Sequence, residues 1–299
     1  MFIKYPKLIY LFALFVFLAI LSLKLFNIKT SETPSESPSP AAKVNQVPKT
    51  PKETKNPKVE AIVKSAQNLP AKYGIYIKDL QSQNAYELNS AEVFGAASIY
   101  KLAVMYKAYD TIESGQLKKN TLLSGEKMNP DQATPTQTET VSYSVQEALR
   151  LMITISDNNA AILLSEKLGW ANIDKFMEQN GLFEINVASP NSPNVTARSA
   201  GALLEKIYGK EAVSKKFSEE MINLLLAQKV NDRIPKYLPA NIKVAHKTGE
   251  LEGLRHDAGI VYGKNGDYIF VFLTDTANPL DATETIATMS KQIFEELEK

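Results

Sequence analysis

The fold is decided near the end of the chain, where residues 258–273 read AGIVYGKNGDYIFVFL. Two runs rich in β-branched and aromatic residues, Ala258–Tyr262 and Tyr268–Leu273, flank the polar segment Lys264–Asp267. Asn265-Gly266 is typical of a tight hairpin turn, because both residues tolerate a positive φ. The stretch therefore predicts two antiparallel strands joined by a short turn.

Further strands are predicted at both ends of the same region. Ile242–His246 precedes the hairpin and is rich in β-forming residues. Far upstream, Gly74–Leu80 and Ala85–Leu88 alternate apolar and polar residues around the turn Gln81–Asn84. An alternating pattern of this kind is typical of a hairpin with one buried face.

The residues between these strands have helical periodicity. The predicted helices are Tyr100–Ser114, Val145–Ile155, Asn158–Leu168, Ile173–Asn180, Thr196–Tyr208 and Ser218–Leu226, and Ala282–Glu298 closes the chain. The sequence thus predicts an α+β fold, with a five-stranded antiparallel sheet built from both chain ends and a helical lobe inserted between them. A site at the seam between the lobe and the sheet is expected.

The first 58 residues differ in character from the rest. Leu8–Leu23 is apolar apart from one serine, and a helix over Leu8–Phe26 would be about 28 Å long, close to the thickness of a bilayer core. Residues 1–26 are predicted to be an uncleaved membrane anchor, with a cleaved signal peptide as the alternative. Residues 27–58, rich in Pro, Lys and Ser, are predicted to be a disordered linker. Residues 59–299 would be a catalytic domain outside the cytoplasm, at the cell membrane or secreted.

Composition excludes several kinds of chemistry. The net charge is +1, from 34 basic and 33 acidic residues, which argues against nucleic-acid binding. The chain has no cysteine, so disulfides, thiolate catalysis and cysteine metal sites are excluded. His246 and His256 are the only histidines, too few for a multi-histidine metal site. We predict no metal and no organic cofactor, and expect a serine or threonine nucleophile with a base other than histidine.

Ser98-Ile99-Tyr100-Lys101 has the form Ser-x-x-Lys. Residues three apart share one face of a helix, so the lysine amine can reach the serine hydroxyl. A motif this short also arises by chance, and Ser124–Lys127 is a second example. Ser98 is the better candidate, because it begins a predicted apolar helix, whereas Ser124 falls in a predicted polar loop.

Two tripeptides follow in order along the chain. Ser156-Asp157-Asn158 lies between two predicted helices, where all three residue types also favour capping. Lys247-Thr248-Gly249 ends a predicted strand, where an ordinary strand-end turn is the alternative interpretation. The occurrence of both downstream of a helix-opening Ser-x-x-Lys is much rarer than either motif alone.

Together these three motifs resemble the signatures of penicillin-recognising serine enzymes, most closely the class A β-lactamases. The resemblance extends over about Val59–Lys299, including the hairpin, the helical lobe, the final strands and the closing helix. It implies a β-lactamase/transpeptidase-like fold, with β-lactams or D-Ala-D-Ala-type peptides as substrates.

The resemblance also implies a role for each matching residue. Ser98 would be the acylated nucleophile, and Lys101 would help to remove its proton. Burial and the nearby charge of Lys247 are expected to lower the pKa of Lys101. Ser156 would relay a proton to the leaving nitrogen, and the Asn158 amide would hold Lys101 and the substrate's amide carbonyl.

The third motif would bind the substrate's other end. Lys247 and Thr248 would hold its carboxylate, and Gly249 would leave room for its backbone along the strand. The backbone N–H groups of Ser98 and Glu250 would form the oxyanion hole.

One departure from the family pattern concerns deacylation. Class A enzymes carry a glutamate in a Glu-x-x-Leu-Asn segment between the second and third motifs, and residues 181–194 here have no such segment. Glu184 is the only acid in that stretch and is a candidate base, with a surface carboxylate as the alternative. Loss of a general base typically slows a step by about 10²–10⁴-fold, so turnover is expected to be slow.

Four residues outside the three motifs are also of interest, His246, His256, Arg255 and Trp170. His256, beside Asp257, could titrate near neutrality and assist water activation, but we expect both histidines to stabilise strand ends by hydrogen bonding. Arg255 is a candidate for assisting carboxylate binding. Trp170, the only tryptophan, is predicted to be a packing residue.

The sequence therefore predicts a monomeric β-lactamase-like serine hydrolase that forms an acyl-enzyme on Ser98. A D,D-carboxypeptidase, transpeptidase or esterase on the same scaffold is the alternative. A non-catalytic cell-wall-binding module is an alternative of another class, although such a module does not need Ser98, Lys101, Ser156 and Lys247 together.

Overall fold

The computed structural model describes residues 55–127, 139–188 and 193–299. All of them belong to the unit Pro51–Lys299. In that part of the chain no helix is long and apolar enough to cross a membrane. The predicted anchor, residues 1–26, and the predicted linker as far as residue 54 lie outside the described residues.

The predicted strands from both chain ends form one antiparallel sheet. They are β1 (Lys72–Asp79), β2 (Ala85–Leu88), β8 (Lys243–Leu251), β9 (Leu254–Tyr262) and β10 (Asp267–Asp275). Their order is β2-β1-β10-β9-β8, with every neighbouring pair antiparallel. The prediction of a five-stranded sheet built from both chain ends is confirmed.

The sheet is covered by helices on both faces. On β10, Ile269, Val271 and Leu273 belong to the core shared with the helical lobe. Phe270 and Phe272, which alternate with them, belong to a second core on the opposite face. Since successive side chains of a strand point to opposite faces, burial of both faces explains why this strand is apolar throughout.

The remaining elements surround this sheet. The helices are α1 (Pro57–Ser65), α2 (Lys101–Glu113), α3 (Val145–Thr154), α4 (Asn158–Leu168), α5 (Trp170–Gln179), α6 (Ala197–Tyr208), α7 (Lys215–Leu226) and α8 (Pro279–Leu297). Two short 3₁₀ helices are Ala66–Asn68 and Ala97–Tyr100, the second of which we call the Ser98 turn. Smaller sheets pair β3 (Val93–Gly95) and β6 (Ile185–Asn186) with β7 (Asn194–Thr196), and β4 (Leu122–Glu126) with β5 (Thr140–Ser144).

Helix α1 was not predicted from the sequence. It begins at Pro57, inside the predicted linker, so residues 57 and 58 are helical. Asn56 caps it by accepting a hydrogen bond from Lys58 N at 3.0 Å, and proline is well tolerated in the first turn. Val59 and Val63 are buried in the second core, which stabilises this short helix.

The second Ser-x-x-Lys match lies on a strand rather than in a loop. Ser124 is part of β4, where it pairs with Ser142 of β5. Its Oγ lies 2.7 Å from Ser142 Oγ. Ser124 therefore does not begin a helix, which agrees with the choice of Ser98 as the candidate nucleophile.

Helix α6 packs closely on the central sheet through Gly201. A Cβ atom at this position would overlap the ring of Tyr76 on β1. The ring is held in place by its hydroxyl, which donates to Glu205 Oε1 at 2.7 Å. The glycine therefore fixes the distance between the helical lobe and the sheet.

Replacing Gly201 tests this close approach. Alanine favours a helix over glycine by about 1 kcal/mol, but overpacking a core typically costs about 1–3 kcal/mol. We expect Gly201→Ala to lower the free energy of unfolding in urea denaturation. Ala202→Gly, at the neighbouring half-buried position, gives the size of the Ala-to-Gly effect in the same helix where no close backbone approach is involved. A Gly201→Ala protein as stable as the parent, or more stable, would show that the contact is not close.

Candidate active site

The Ser98 turn leads directly into α2 and presents Ser98 at the start of this helix. Ala97 has φ of 43°, a left-handed conformation that is uncommon for a residue with a side chain. Ser98 is partly exposed, and no hydrogen bond joins its Oγ to any described residue. A free hydroxyl at a helix N-terminus is suited to attack on a carbonyl, because the helix dipole favours developing negative charge.

Lys101 is the first residue of α2, and its side chain is fully buried. Its Nζ donates to Ser156 O at 2.6 Å, to Asn158 Oδ1 at 2.8 Å and to Ser156 Oγ at 3.2 Å. Burial lowers the pKa of Lys101 to about 8, although the charge of Asp157 opposes the shift. A substantial fraction of the amine is therefore neutral near physiological pH, as proton transfer from Ser98 requires.

The Ser-Asp-Asn segment serves as both a helix cap and part of the site. Asp157 caps α4 by accepting a hydrogen bond from Ala160 N at 2.7 Å, as the cap interpretation expects. Ser156, just before it, has φ of 60°. This conformation places the Ser156 carbonyl and hydroxyl within hydrogen-bonding distance of Lys101. The two interpretations of the motif are therefore compatible.

Lys247 on β8 reaches the same serine from the sheet. It is fully buried, and its Nζ donates to Ser156 Oγ at 2.9 Å and to Thr248 O at 2.8 Å. Burial and then the charge of Lys101 lower the pKa of Lys247 to about 7, with Asp257 opposing. One hydroxyl thus accepts hydrogen bonds from two buried amines. We call Ser98, Lys101, Ser156 and Lys247 the candidate cluster.

Gly249 lies at a close contact between β8 and the Ser98 turn. A Cβ atom here would lie 3.1 Å from Ile99 Cγ1 and 3.3 Å from Ala97 Cβ, both in the Ser98 turn. The glycine therefore lets β8 pack against that turn. Its expected role in leaving room for a substrate backbone stays a prediction.

Arg233 was missed by the sequence analysis. It lies between α7 and β8, is fully buried, and donates from Nη2 to Glu250 Oε1. Its Nε and Nη1 have no hydrogen-bond partner among the described residues, although Nη1 lies 3.6 Å from an Asp232 oxygen. Its charge contributes to the lowered pKa of Lys247. No sequence pattern marks it, because its partner depends on the course of the chain before β8.

Both histidines hold strands in place, as expected. His256 Nε2 lies 2.7 Å from Gly95 O, and its Nδ1 accepts from Thr274 N at 3.0 Å. Burial lowers the pKa of His256, which keeps it neutral. His246 Nδ1 lies 2.8 Å from Asp257 Oδ1, deep inside the sheet.

Among the described residues, no hydrogen bond or ion pair joins the Glu184 side chain to Ser98, Lys101, Ser156 or Lys247. It is exposed, and it accepts a hydrogen bond from Ser199 Oγ at 2.6 Å, in the first turn of α6. Residues 189–192, which follow it, lie outside the described residues. Its role as a deacylation base remains a prediction.

Arg255 and Trp170 each contact residues outside the candidate cluster. Arg255 Nη1 donates to the carbonyl groups of Leu251 at 3.0 Å and Leu254 at 2.8 Å. Trp170 is half-buried, with its ring centroid 6.2 Å from that of Tyr100. A packing role for Trp170 agrees with this contact. In the described ranges, no group of three or more His, Asp or Glu side chains is arranged to hold a metal ion.

A sheet flanked by helices, with two buried lysines hydrogen-bonded to a serine at its edge, is the arrangement expected of one class, the serine hydrolases that use lysine in place of histidine. The sequence model of the beta-lactamase enzyme family matches residues 56–297, most of the chain. The chain therefore belongs to the beta-lactamase enzyme family.

Individual relatives are distant. Beta-lactamase BRO-1 of Moraxella catarrhalis is 25% identical over 180 residues, which cover 52% of this chain and 56% of that protein. A beta-lactamase of Streptomyces albus G is 24% identical over 216 residues, 64% of this chain and 68% of that protein. Among solved structures, PBP-A superposes with a TM-score of 0.73 at 24% identity and covers 81% of this chain and 96% of its own. The structural likeness confirms the predicted fold.

The buried lysines predict how stability depends on pH. Lys247 has a lower pKa folded than unfolded, so between about pH 7 and 10 the unfolded chain binds more protons. Stability from this group is therefore smallest below about pH 7 and increases as the pH rises. We expect the free energy of unfolding to increase by roughly 2 kcal/mol between pH 7 and 9.5.

Lys247→Met is the matched variant, because it keeps the length of the side chain and removes the charge. We expect it to be more stable than the parent at pH 6, with the difference shrinking toward pH 9.5. Thermal unfolding at a series of pH values measures both. A parent protein that loses stability steadily from pH 7 to 9.5 would contradict the lowered lysine pKa values.

Proposed function

We propose that this protein is a serine hydrolase that β-lactams acylate at Ser98 and that releases the acyl group slowly. The observation that carries the proposal is the Ser156 hydroxyl, which lies 2.9 Å from Lys247 Nζ and 3.2 Å from Lys101 Nζ. A proton can move between these groups without a histidine, and Ser98 lies one helical turn before Lys101.

In the proposed acylation, Ser98 Oγ attacks the amide carbonyl carbon, and its proton passes to the neutral amine of Lys101. The backbone N–H groups of Ser98 and Glu250 stabilise the negative charge on the carbonyl oxygen. The C–N bond then breaks, and Ser156 gives its proton to the leaving nitrogen. Lys101 returns a proton to Ser156, so the net transfer is from Ser98 to that nitrogen.

The same cluster would orient the substrate. Asn158 would donate its amide N–H to the substrate's amide carbonyl while its Oδ1 holds Lys101. Thr248 and the charged form of Lys247 would bind the substrate carboxylate. A bound carboxylate would favour the protonated amine, since opposite charges raise a lysine pKa.

Slow deacylation is supported by the lack of a described acidic side chain bonded to these residues. Within the described residues, no recorded hydrogen bond or ion pair joins an Asp or Glu side chain to Ser98, Lys101 or Ser156. A positioned base is what activates a hydrolytic water. The relative PBP-A has a mutant solved as an acyl-enzyme complex with penicillin G. A long-lived acyl-enzyme would favour peptidase or transpeptidase behaviour, the second candidate function.

The cellular setting is part of the proposal. The apolar run Leu8–Leu23 supports an N-terminal membrane anchor, and the Pro-rich residues 27–58 support a tether to the catalytic domain. This arrangement would place the site outside the cytoplasm, where cell-wall peptides and β-lactams are found.

Labelling with a fluorescent penicillin tests the proposal. We expect the full-length protein to bind the label covalently, with intact mass increased by one penicillin, and Ser98→Ala to remain unlabelled because it lacks the nucleophile. After washout, we expect the label to persist for hours.

The matched control is Ser124→Ala, which removes the serine of the other Ser-x-x-Lys match. It should label like the parent. Labelling that survives in Ser98→Ala, or that is lost in Ser124→Ala, would contradict the assignment of the nucleophile. Rapid loss of label with hydrolysed penicillin in solution would contradict slow deacylation.

A further inference from the structure

A polar cavity lies on the helical lobe, lined by residues of α2, α4 and α5. Its volume is about 510 Å³, within the range of pockets that take small organic ligands. From α2 it is lined by Lys107, which lies about 9 Å along the helix axis from Lys101. From α4 it is lined by Lys167, which lies about 14 Å along the axis from Asn158. The cavity is therefore separate from the candidate cluster, and the proposed function does not use it.

Contacts within the lobe hold the walls of this cavity. Lys107 Nζ lies 4.5 Å from the centroid of the Phe176 ring and donates to Asp110 Oδ2 at 2.8 Å. Where α4 is followed by α5, Asn172 Nδ2 donates to Leu168 O at 3.1 Å. All of these residues except Asp110 line the cavity. A cavity whose walls are already fixed binds a ligand without a large cost of ordering side chains.

The lining of the cavity has an excess of positive charge. Its three lysines are Lys107, Lys167 and Lys175, and no Asp or Glu of the described residues lines it. Asp110 balances the charge of Lys107. Lys167 and Lys175 are exposed, and within the described ranges neither of them forms a salt bridge. Two positive charges are therefore available to a ligand, which matches the dianion of a phosphate monoester better than a single carboxylate.

The rest of the lining suits a hydroxylated carbon skeleton. Leu117 and Leu168 are buried and Phe176 is half-buried, so together they offer an apolar surface. The amide side chains of Gln116 and Gln179 are exposed and can both donate to and accept from hydroxyl groups. Inorganic phosphate would use only the charged part of such a lining. A larger ligand that joins a phosphate to a sugar ring would use all of it.

We propose that this cavity is a binding site for a phosphorylated sugar. Lys167 and Lys175 hold the phosphate, and the apolar face of the ring packs on Phe176. Gln116 and Gln179 hydrogen-bond to the hydroxyl groups of the ring. None of these residues belongs to the candidate cluster, so the inference does not depend on the proposed function.

Calorimetric titration of the full-length protein with glucose 6-phosphate tests the proposal. Glucose and inorganic phosphate are the matched ligands, because each keeps only one part of this probe. The variants are Lys167→Gln and Lys175→Gln, each of which removes one charge from the cavity. The control is Lys264→Gln, since Lys264 is exposed on the turn between β9 and β10 and its replacement removes the same charge.

We expect glucose 6-phosphate to bind at least about fivefold more tightly than glucose or inorganic phosphate, because it alone contacts both parts of the lining. Lys167→Gln and Lys175→Gln should each raise its Kd by at least about fivefold, because hydrogen bonds between charged groups are the strong ones. Lys264→Gln should leave the Kd within about twofold of the parent, since distant surface charges are well screened. Ser98→Ala should bind the probe like the parent.

Failure of glucose 6-phosphate to bind, or a preference over either matched ligand smaller than that, would overturn the inference. A smaller loss in Lys167→Gln or Lys175→Gln, or an equal loss in Lys264→Gln, would also overturn it. None of these results bears on acylation of Ser98, so the proposed function would stand. Thermal unfolding shows whether the variants are folded. If one is not, the preference of the parent among the three ligands decides the question.

Discussion

The arrangement of the site depends on one hydroxyl that accepts hydrogen bonds from two buried lysines. Ser156 Oγ lies between Lys101, at the start of a helix, and Lys247, on the edge strand of the sheet. Burial lowers the pKa of both lysines, and the charge of Lys101 lowers that of Lys247 further. The fold therefore holds amines in a state that exposed lysines do not adopt near neutral pH, and this state makes lysine usable as a base.

Several contacts hold together the segments that carry these residues, which are the Ser98 turn with α2, the Ser156–Asn158 segment and β8. Gly249 lets β8 approach the Ser98 turn, and a Cβ there would lie only 3.1 Å from Ile99. His256 hydrogen-bonds to Gly95 O, in the strand that leads into the same turn. The positive φ of Ala97 and Ser156 is a local cost that the surrounding packing offsets. His256, which the sequence suggested as a possible aid to water activation, thus has a structural role.

The sequence predicted the parts of this arrangement that depend on local pattern. The Asn265-Gly266 turn and the alternation in the N-terminal strands identified the sheet, and short motifs identified the residues that meet at its edge. Helix α1 was missed because Pro57 and its neighbours resemble the preceding Pro-rich residues, and its stability comes from burial of Val59 and Val63 against distant strands.

Other features could not be read from the sequence because they depend on tertiary contacts. Arg233 and Glu250 are 17 residues apart, and only the path of the chain into β8 brings them together. The actual neighbours of Gly249 were hidden for the same reason, since they come from a turn far upstream. Glu184 was chosen from its position in the sequence alone. In the structure its hydrogen-bond partner is Ser199.

The central claim is that burial keeps both lysines partly neutral and that the charge of Lys101 adds to this effect on Lys247. It is tested most directly by following the ¹⁵N chemical shift of their Nζ atoms against pH. The assignment uses Lys101→Met and Lys247→Met, each of which removes one signal. The account predicts transitions near pH 7 to 8 in the parent, and a higher pKa for Lys247 when Lys101 is replaced. Transitions of both lysines near pH 10.5, the ordinary value for an exposed lysine, would contradict it.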